Sequence, residues 1–508
     1  MDFNIHLEAI LTSILLVAGT YLLERIIRTR VRNPYPPGPV ARPVLGNVLP
    51  TVTPWITYTQ WSKLYGPVMH LKAFTQHIIV LSSEDAATDL YEKRSHTYAD
   101  RPYIPMIDLM GWSFNSGFMP YSETWRKHRR VFHQHFRPEA SLAYRPTELR
   151  KVHVLLRALL QNPDDIVTHV RMLTAGIMME TMYGHDIKSM DDEYVTLVSD
   201  SVDMLSSSVF PGATVVNALP FLRHFLKWLP GVVFQSFVDK SAALTNRMLT
   251  APYEHVKNNV ATGQSQKPCL ATKLLLGNEH ITSDQEHVHK SVLALAYAAG
   301  GDTSVSALMT FVLAMALYPH VVAQAHAELD RVLGGKRLPT FEDRPALPYI
   351  DAIYREVMRW HPVLPLGVAR AAQDDDVYNG YLIPKGAMIL TNMWAMAHDE
   401  AKYPEPSAFR PERFITADGQ LDASGRIFAF GFGRRICAGR AMADATVWAT
   451  IASMLAVFDI KKAKDEAGNE IPIPEYDYTD GLISHPKPFQ YSIHPRSLTS
   501  VSLIKESR

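Results

Sequence analysis

The ten residues from Phe430 to Gly439 constrain this chain more than any other stretch. They read Phe-Gly-Phe-Gly-Arg-Arg-Ile-Cys-Ala-Gly, so glycines surround one of only two cysteines in 508 residues. With so few cysteines, neither a disulfide framework nor a four-cysteine zinc site competes for Cys437. Glycines let backbone N–H groups approach a sulfur closely, and such donors stabilise a thiolate. The spacing predicts a functional thiolate; a buried structural cysteine in a glycine-rich loop is the simpler alternative.

The spacing Phe-x-x-Gly-x-Arg-x-Cys-x-Gly resembles the haem-binding loop of the cytochrome P450 monooxygenases. The resemblance implies that Cys437 is the axial ligand of the iron of haem b, where a thiolate pushes electron density toward oxygen and favours O–O cleavage. It also implies that Phe430 shields the sulfur and that Arg435 binds a haem carboxylate. The other cofactor-binding positions that it implies in this loop are Gly431, Gly433 and Gly439.

Three residues outside the loop are also expected to bind haem carboxylates. Trp125 and Arg129 are four residues apart, so on a helix they share a face and both can reach one carboxylate. Taken alone, this pair is equally typical of an exposed basic helix. The resemblance implies that it holds one haem propionate and that Arg370 is a second propionate partner. The remaining basic residues of the segment are expected to meet an acidic protein partner: Arg126, Lys127 and Arg130.

An apolar stretch from Val292 to Leu317 has the length of a membrane span. Residues 300–306 argue against lipid contact, because they include two glycines, three hydroxyl side chains and the charge of Asp302. The stretch is therefore predicted to form a long buried helix. Ala-Gly-Gly-Asp-Thr at 299–303 is similar to the oxygen-binding segment of the same family. The similarity implies that Asp302 and Thr303 are the catalytic residues that supply protons for the cleavage of dioxygen.

A second set of residues is expected to support the cysteine loop. Glu356 and Arg359 form an i, i+3 pair on a predicted helix, and Arg413 follows in Pro-Glu-Arg-Phe. The resemblance implies that these three residues form a buried ion network behind the loop. The pattern predicts short strands and one pocket loop at these places: strands over 68–71 and 77–81, a strand-turn-strand over 381–386, and the loop 480–485.

The N-terminus carries a different signal. Residues 9–23 are uncharged and mainly apolar, and four arginines follow by position 32. Positive charge after the apolar run predicts a signal-anchor that leaves the rest of the chain in the cytosol, with a surface helix as the alternative. Four prolines in 34–39 exclude a helix and predict a stiff hinge. The proline-broken stretch 201–235 is interpreted mainly as core, with a pocket lid that touches the bilayer as the alternative.

Composition favours one large domain. The chain has 51 basic and 51 acidic residues, which gives no basis for nucleic-acid binding, and 47% of its residues are hydrophobic. No Gly/Ser-rich, acidic or repeated segment divides it. We therefore expect an anchor helix in residues 1–30, a proline-rich hinge in residues 31–50 and one catalytic domain in residues 51–508.

Five motifs in family order extend the resemblance from Trp125 to Gly439, and fungal microsomal members are the most similar. The resemblance implies a mainly α fold, with a single large cytochrome P450-type domain, a small β region and an N-terminal membrane anchor helix. It implies single-pass attachment to the endoplasmic reticulum membrane. The implied activity is oxidation of a lipophilic small molecule by O2, with electrons from an NADPH-dependent flavoprotein reductase. Terpenoid, steroid or aromatic substrates of fungal secondary metabolism are expected.

Two other functional classes use a similar loop. A haem-thiolate isomerase or dehydratase works without a reductase, and the Asp302–Thr303 pair argues against it because that chemistry needs no protons for oxygen cleavage. A non-enzymatic membrane haem carrier or sensor is the second class. Consumption of NADPH and O2 would distinguish a monooxygenase from the isomerase. Failure of every lipophilic compound to change the iron spin state would favour the carrier or sensor.

Overall fold

The computed structural model describes residues 33–209, 214–218, 222–223, 232–264, 267–277 and 280–507. Over these residues the chain is mainly helical with small sheets, which confirms the fold class predicted from the sequence. The predicted anchor in residues 1–30 lies outside the described residues, as does most of the segment 210–231 within the predicted core-or-lid stretch. The predicted boundaries of the anchor, the hinge and the catalytic domain stay predictions.

The helices of the described residues vary from one turn to ten. In chain order they are α1 Pro54–Tyr65, α2 Glu84–Thr88, α3 Pro105–Leu109, α4 Glu123–Phe136, α5 Pro138–Ser141, α6 Arg145–Gln161, α7 Ile166–Tyr183, α8 Glu193–Val209, α9 Val215–Ala218, α10 Val232–Ala261, α11 Leu270–Leu276, α12 Ser283–Leu317, α13 Pro319–Leu333, α14 Pro348–Trp360, α15 Met393–Ala397, α16 Arg440–Val457 and α17 Leu498–Glu506. A π-helical turn, Asp89–Lys93, follows α2 directly.

The strands form three small sheets among the described residues. They are β1 Val68–Ala73, β2 Gln76–Leu81, β3 Arg370–Ala371, β4 Asp376–Tyr378, β5 Tyr381–Ile383, β6 Met388–Thr391, β7 Phe458–Lys462 and β8 Tyr491–Pro495. The largest sheet has the order β1-β2-β6-β3, in which β2 and β6 are parallel and the other pairs antiparallel. The strands predicted over 68–71, 77–81 and 381–386 are confirmed. The antiparallel pair β3–β6 places Arg370 opposite Ile389 at the edge of this sheet.

The long helix α12 forms the centre of the fold. Thr282 and Gln285 cap its first turn reciprocally, so the helix starts before the predicted Val292. It ends at Leu317, just before Pro319, and most of its side chains between 288 and 316 are buried. By length and composition α12 passes the test for a membrane span, but 72% of its most apolar window is buried inside the protein. The prediction of a buried core helix is confirmed.

A glycine sets the distance between α12 and α7. A β-carbon on Gly300 would lie 2.9 Å from the sulfur of Met178, too close for any larger residue without movement of that side chain. Helices can pack this closely only where one of them presents a small residue. Buried residues of α6, α7, α12 and α16 belong to one hydrophobic cluster, which positions α12 against the remaining core. The middle of α12 is therefore rigidly placed.

The proline-rich segment lies against the sheet. The carbonyl of Pro37 accepts a hydrogen bond from the His70 amide at 3.0 Å, and that of Pro34 accepts one from Leu382 at 2.8 Å. The Asn47 side chain binds the Lys72 amide at 2.8 Å. The described part of the predicted hinge is thus attached to the edges of two sheets, which limits the freedom of the chain from residue 34 onward.

Candidate active site

The cysteine loop is shaped by short backbone hydrogen bonds. The Cys437 amide donates to the Phe430 carbonyl at 2.9 Å, which closes the loop around two 3₁₀ turns. Gly433 has a φ of 54°, and a β-carbon there would lie 2.0 Å from the carbonyl oxygen of Tyr91. Only glycine permits this approach. The loop is therefore pressed onto the π-helical turn that follows α2.

The thiol of Cys437 is surrounded by protein yet open on one side. Burial raises its pKa, while the Gly439 amide and the cations Arg129 and Arg440 act in the opposite direction. The side chain is nevertheless exposed. A β-carbon added to Gly431 or Gly439 would meet no atom within 4 Å. The sulfur thus borders an internal opening, and the nearby positive charges favour its anionic form.

Helix α4 delivers the predicted Trp125 and Arg129 to this loop. The Ser122 hydroxyl caps the helix by accepting from the Trp125 amide at 3.2 Å. The Arg129 guanidinium donates to the Ile436 carbonyl at 2.8 Å, one residue before Cys437. The Trp125 ring lies 4.3 Å from the Arg435 guanidinium. Both predicted residues therefore face the cysteine loop from one side of the helix.

Arg435 and Arg370 are held by carbonyl groups. Arg435 donates to the carbonyls of Ala99, Ser116 and Met119 at 2.7–3.0 Å. Arg370 donates through Nη2 to the Phe432 carbonyl at 2.6 Å and stacks on a tyrosine ring. Its Nη1 is buried without a hydrogen-bond partner within the described part of the chain. Arg370 therefore has an unused donor, whereas the three donors of Arg435 bind the segment 99–119.

The sequence analysis missed a third guanidinium in this group. Arg101 donates to the carbonyls of Gly117, Val368 and Ala369 at 2.6–2.7 Å. Its pKa is lowered by burial, and the charges of Arg435 and Arg370 lower it further. An acidic residue followed by Arg-Pro is a common sequence, so only the fold reveals that Arg101 belongs to this group. The segment around Arg101 joins the cysteine loop to the residues that precede β3.

These cations lack carboxylate partners. Burial lowers the pKa of Arg370 and of Arg129, and burial with the charge of Arg370 lowers the pKa of Arg435 to about 9. The ion pairs found among the described residues include none of these three, nor Arg101. Carbonyl groups satisfy the hydrogen bonds of a guanidinium but leave its charge uncompensated. The arrangement is suited to a buried ligand that carries negative charge.

The predicted proton-supplying residues lie in the middle of α12. The Thr303 hydroxyl donates to the carbonyl of Ala299 at 2.8 Å, within the same turn. Asp302 Oδ2 is 3.1 Å from Nε2 of His485, a contact that the sequence analysis did not anticipate. Ala299 is exposed although the helix on both sides of it is buried. The turn from 299 to 303 thus borders an opening within the core.

Comparison with known proteins identifies the family to which this chain belongs. The family model for cytochrome P450 matches residues 36–493 of this chain. The chain belongs to the cytochrome P450 family. A cytochrome P450 monooxygenase of Armillaria gallica is 41% identical, over 98% of this chain and 99% of the relative. Cytochrome P450 monooxygenase COX1 of Coprinopsis cinerea is 37% identical over 96% and 98%, and ple1 of Rhodocybe pseudopiperita is 40% identical over 92% and 91%.

The residues of this cytochrome P450 fit the cofactor of the family, which is haem held by a cysteine thiolate. Haem presents two carboxylates and an iron ion, and the chain provides a thiol next to unpaired cations. Within the part of the chain that the structure describes, Nη1 of Arg370 is a buried donor without an acceptor. A buried unpaired donor costs about 1–3 kcal/mol, more when charged, so a carboxylate there would relieve a real penalty. The similarity to proteins named cytochrome P450 monooxygenases supports monooxygenase activity for this chain.

The predicted ion network of the P450 is present. Glu356 is fully buried and accepts from Arg359 Nε at 2.7 Å, Arg359 Nη2 at 2.8 Å and Arg413 Nε at 3.2 Å. The arginines also bind the carbonyls of Ala397 and Ala408. The network therefore braces the segment 397–410, which precedes the cysteine loop in the chain.

The basic face of α4 is partly neutralised. Lys127 pairs with Asp284 of α12 at 2.5 Å, and Arg126 pairs with Glu123 at 3.0 Å. Arg130 is exposed and is absent from the ion pairs recorded for the described chain. Of the three basic residues predicted to meet a protein partner, Arg130 has the least competition from intramolecular contacts.

Proposed function

We propose that this P450 inserts an oxygen atom into a lipophilic small molecule, with Cys437 as the iron ligand. The observation that carries the proposal is the thiol of Cys437, which is open on one side. Its loop contains Arg435 and contacts Arg129 and Arg370, and these three guanidinium groups form no ion pair with a carboxylate among the described residues. One anionic cofactor with a thiolate-bound metal accounts for both features. A structural cysteine would account for neither of them.

Each site residue then has a physical task. When bound, haem supplies the iron at which dioxygen is reduced and cleaved. Arg129, Arg370 and Trp125 would hold its carboxylates, and Arg370 would contribute its Nη1 donor, which has no hydrogen-bond partner among the described residues. Arg101 and Arg435 add positive charge while they fix the segment 99–119 by their carbonyl contacts. Phe430 would shield one side of the sulfur, Gly431 and Gly439 leave open space beside the loop, and Gly433 lets the loop pack against Tyr91.

Asp302 and Thr303 are proposed to supply protons. A hydroxyl and a carboxyl on adjacent residues can pass a proton from one to the other through water. The hydrogen bond from Thr303 to the Ala299 carbonyl holds the hydroxyl next to the exposed turn of α12. These residues favour the monooxygenase over a reductase-independent isomerase, because isomerisation needs no proton supply.

Electrons are proposed to come from an NADPH-dependent flavoprotein reductase that docks near Arg130. Attachment to the endoplasmic reticulum membrane is proposed through residues 1–30, with the catalytic domain in the cytosol. Valines 40, 44, 48 and 52 are 95%, 89%, 69% and 68% exposed. An exposed apolar series directly after the expected anchor supports a position close to a bilayer.

The substrate class is proposed from the pocket loops. Segments 98–120, 363–370 and 480–485 contribute apolar and aromatic side chains, among them Trp112, Phe114 and Leu366. Such a lining favours a terpenoid, steroid or aromatic compound of secondary metabolism. A panel of lipophilic metabolites, incubated with the protein, NADPH and a reductase, tests this choice through product formation.

The thiolate assignment has a matched control, because the chain has one other cysteine. Cys437→Ala should abolish the strongly red-shifted Soret band of the reduced, CO-bound protein, which thiolate ligation produces. Cys269→Ser keeps an acceptor at the N-cap of α11 and should leave the band unchanged. A histidine-type band in the folded wild-type protein would overturn the proposal. Absence of NADPH and O2 consumption with every substrate would favour the isomerase.

A further inference from the structure

The loop 479–485 is attached to one face of α12 at two successive turns. The Ser306 hydroxyl donates to the Ser484 carbonyl at 2.5 Å, and Asp302 Oδ2 is 3.1 Å from His485 Nε2. Residues 302 and 306 are four apart and therefore lie on the same side of the helix. The position of the imidazole next to Asp302 is thus set by a second contact one turn away.

Further hydrogen bonds close the loop itself. The Thr479 amide donates to the His485 carbonyl at 2.8 Å, and the His485 amide donates to the Thr479 hydroxyl at 3.0 Å. The Ser484 amide donates to the Val363 carbonyl at 2.9 Å, and Asp480 accepts from the Thr53 amide at 2.6 Å. The backbone on both sides of the imidazole is therefore immobilised. His485 approaches Asp302 in a fixed geometry.

The side chains of His485 and Asp302 are both partly accessible. The side chain of His485 is 25% exposed and that of Asp302 is 34% exposed. Asp203 of α8 lies within electrostatic reach: burial raises the pKa of its carboxyl, Asp302 and Asp200 raise it further, and Arg171 and His485 lower it. Among the described residues, the hydrogen bond recorded for the Asp302 carboxylate is the one from His485. Without this hydrogen bond from His485, the Asp302 carboxylate would be solvated by water.

We infer that His485 is a positioning residue that supplies protons to Asp302 through the Nε2–Oδ2 contact. The imidazolium donates its Nε2 proton to the Asp302 carboxylate, which leaves a neutral imidazole and a neutral carboxylic acid. Asp302 then passes its proton toward Thr303, and the exposed part of the imidazole takes up another proton from solvent. Charge and protons balance in each cycle.

This inference rests on the proposed proton-supplying role of Asp302 and Thr303, so its test includes both. His485→Gln keeps an N–H donor for Asp302 but cannot release its proton, whereas His485→Ala removes the donor as well. We expect both variants to lower product per NADPH about tenfold and to raise hydrogen peroxide, because single acid–base groups contribute about 100-fold or more and Asp302 remains. Asp302→Asn combined with His485→Gln should cause no greater loss than Asp302→Asn alone.

A comparable histidine provides the control. His185 Nε2 lies 2.7 Å from Asp192, and the two side chains are 30% and 17% exposed, so His185→Gln changes a similar pair elsewhere. We expect it to leave the ratio of product to peroxide at the wild-type value. Thermal unfolding of the full-length protein gives a measurement independent of turnover. His485→Ala and Asp302→Ala should each lower the midpoint, and the double variant should lower it no more than the larger single effect.

Wild-type coupling in His485→Gln would overturn the inference, and so would losses from His485→Gln and Asp302→Asn that multiply. Additive unfolding shifts would show that the two side chains do not interact and would also overturn it. If Thr303→Ala uncouples oxygen use but His485→Gln does not, the inference fails while the proposed function stands. If His485→Gln uncouples and Thr303→Ala does not, the inference stands and the role of Thr303 fails.

Discussion

Replacing Glu356 with glutamine should destabilise this protein severely. The glutamate is fully buried, and the side chains of Arg359 and Arg413 are only 3% and 8% exposed. Glutamine removes the negative charge and turns one acceptor oxygen into an NH2 donor that faces the Arg359 Nε–H group. Two buried cations then lose their counter-ion, and removal of one member of a buried pair costs about 3–5 kcal/mol. The equilibrium constant for unfolding should therefore rise by about two to nearly four powers of ten.

The control for this prediction is Glu405→Gln. Glu405 also pairs with an arginine, at 2.6 Å from Arg410, but its side chain is 74% exposed. An exposed pair contributes about 0–1 kcal/mol. Urea titrations of the full-length protein in detergent, followed by far-ultraviolet circular dichroism, should show a large decrease in midpoint for Glu356→Gln and almost none for Glu405→Gln. Equal midpoints for the two variants would refute the argument that the buried charge dominates.

Three further changes test other parts of the proposal. Thr303→Ala should leave NADPH consumption in place while product per NADPH falls about 100-fold and hydrogen peroxide rises; an unchanged ratio contradicts the proton-supplying role. Deletion of residues 1–30 should release most of the protein from membranes without loss of haem uptake, because the residues proposed to bind haem all follow the proline-rich segment; a folded, soluble truncation without haem contradicts a purely anchoring role. Arg130→Glu should slow electron transfer from the reductase most at low salt, since surface charge mainly sets encounter rates. Lys127→Glu is a less specific test, because it also breaks the ion pair with Asp284. Equal losses at all ionic strengths for Arg130→Glu would contradict docking at this face.

The features that the sequence predicted are those that depend on the spacing of nearby residues. The Glu356–Arg359 pair is an i, i+3 contact, and α12 has an apolar pattern interrupted only by small and polar residues around Asp302. The cysteine loop likewise owes its shape to hydrogen bonds and a positive φ within ten residues. These features depend on neighbours in the chain. They were accessible without a fold.

Contacts between distant segments were not accessible in this way. The prediction that Arg435 binds a haem carboxylate stays a prediction, but its three hydrogen bonds to carbonyls more than 300 residues earlier were not foreseen. Arg101 joins the same cluster only because β3 and the cysteine loop pack beside it. His485 meets Asp302 across 183 positions of sequence. Neither periodicity nor spacing encodes such pairs, because tertiary packing decides them.

The attachment of the loop 479–485 also bears on how substrate preference can change over time. Leu482 and Ile483 are half-buried and lie between the tethered positions Asp480 and Ser484. Point substitutions at these two positions would reshape the proposed pocket wall while the frame around them is retained. An insertion or deletion would move His485 away from its carboxylate and impair oxygen cleavage for every substrate. Diversification at this wall should therefore proceed through changes in side-chain identity, with loop length kept constant.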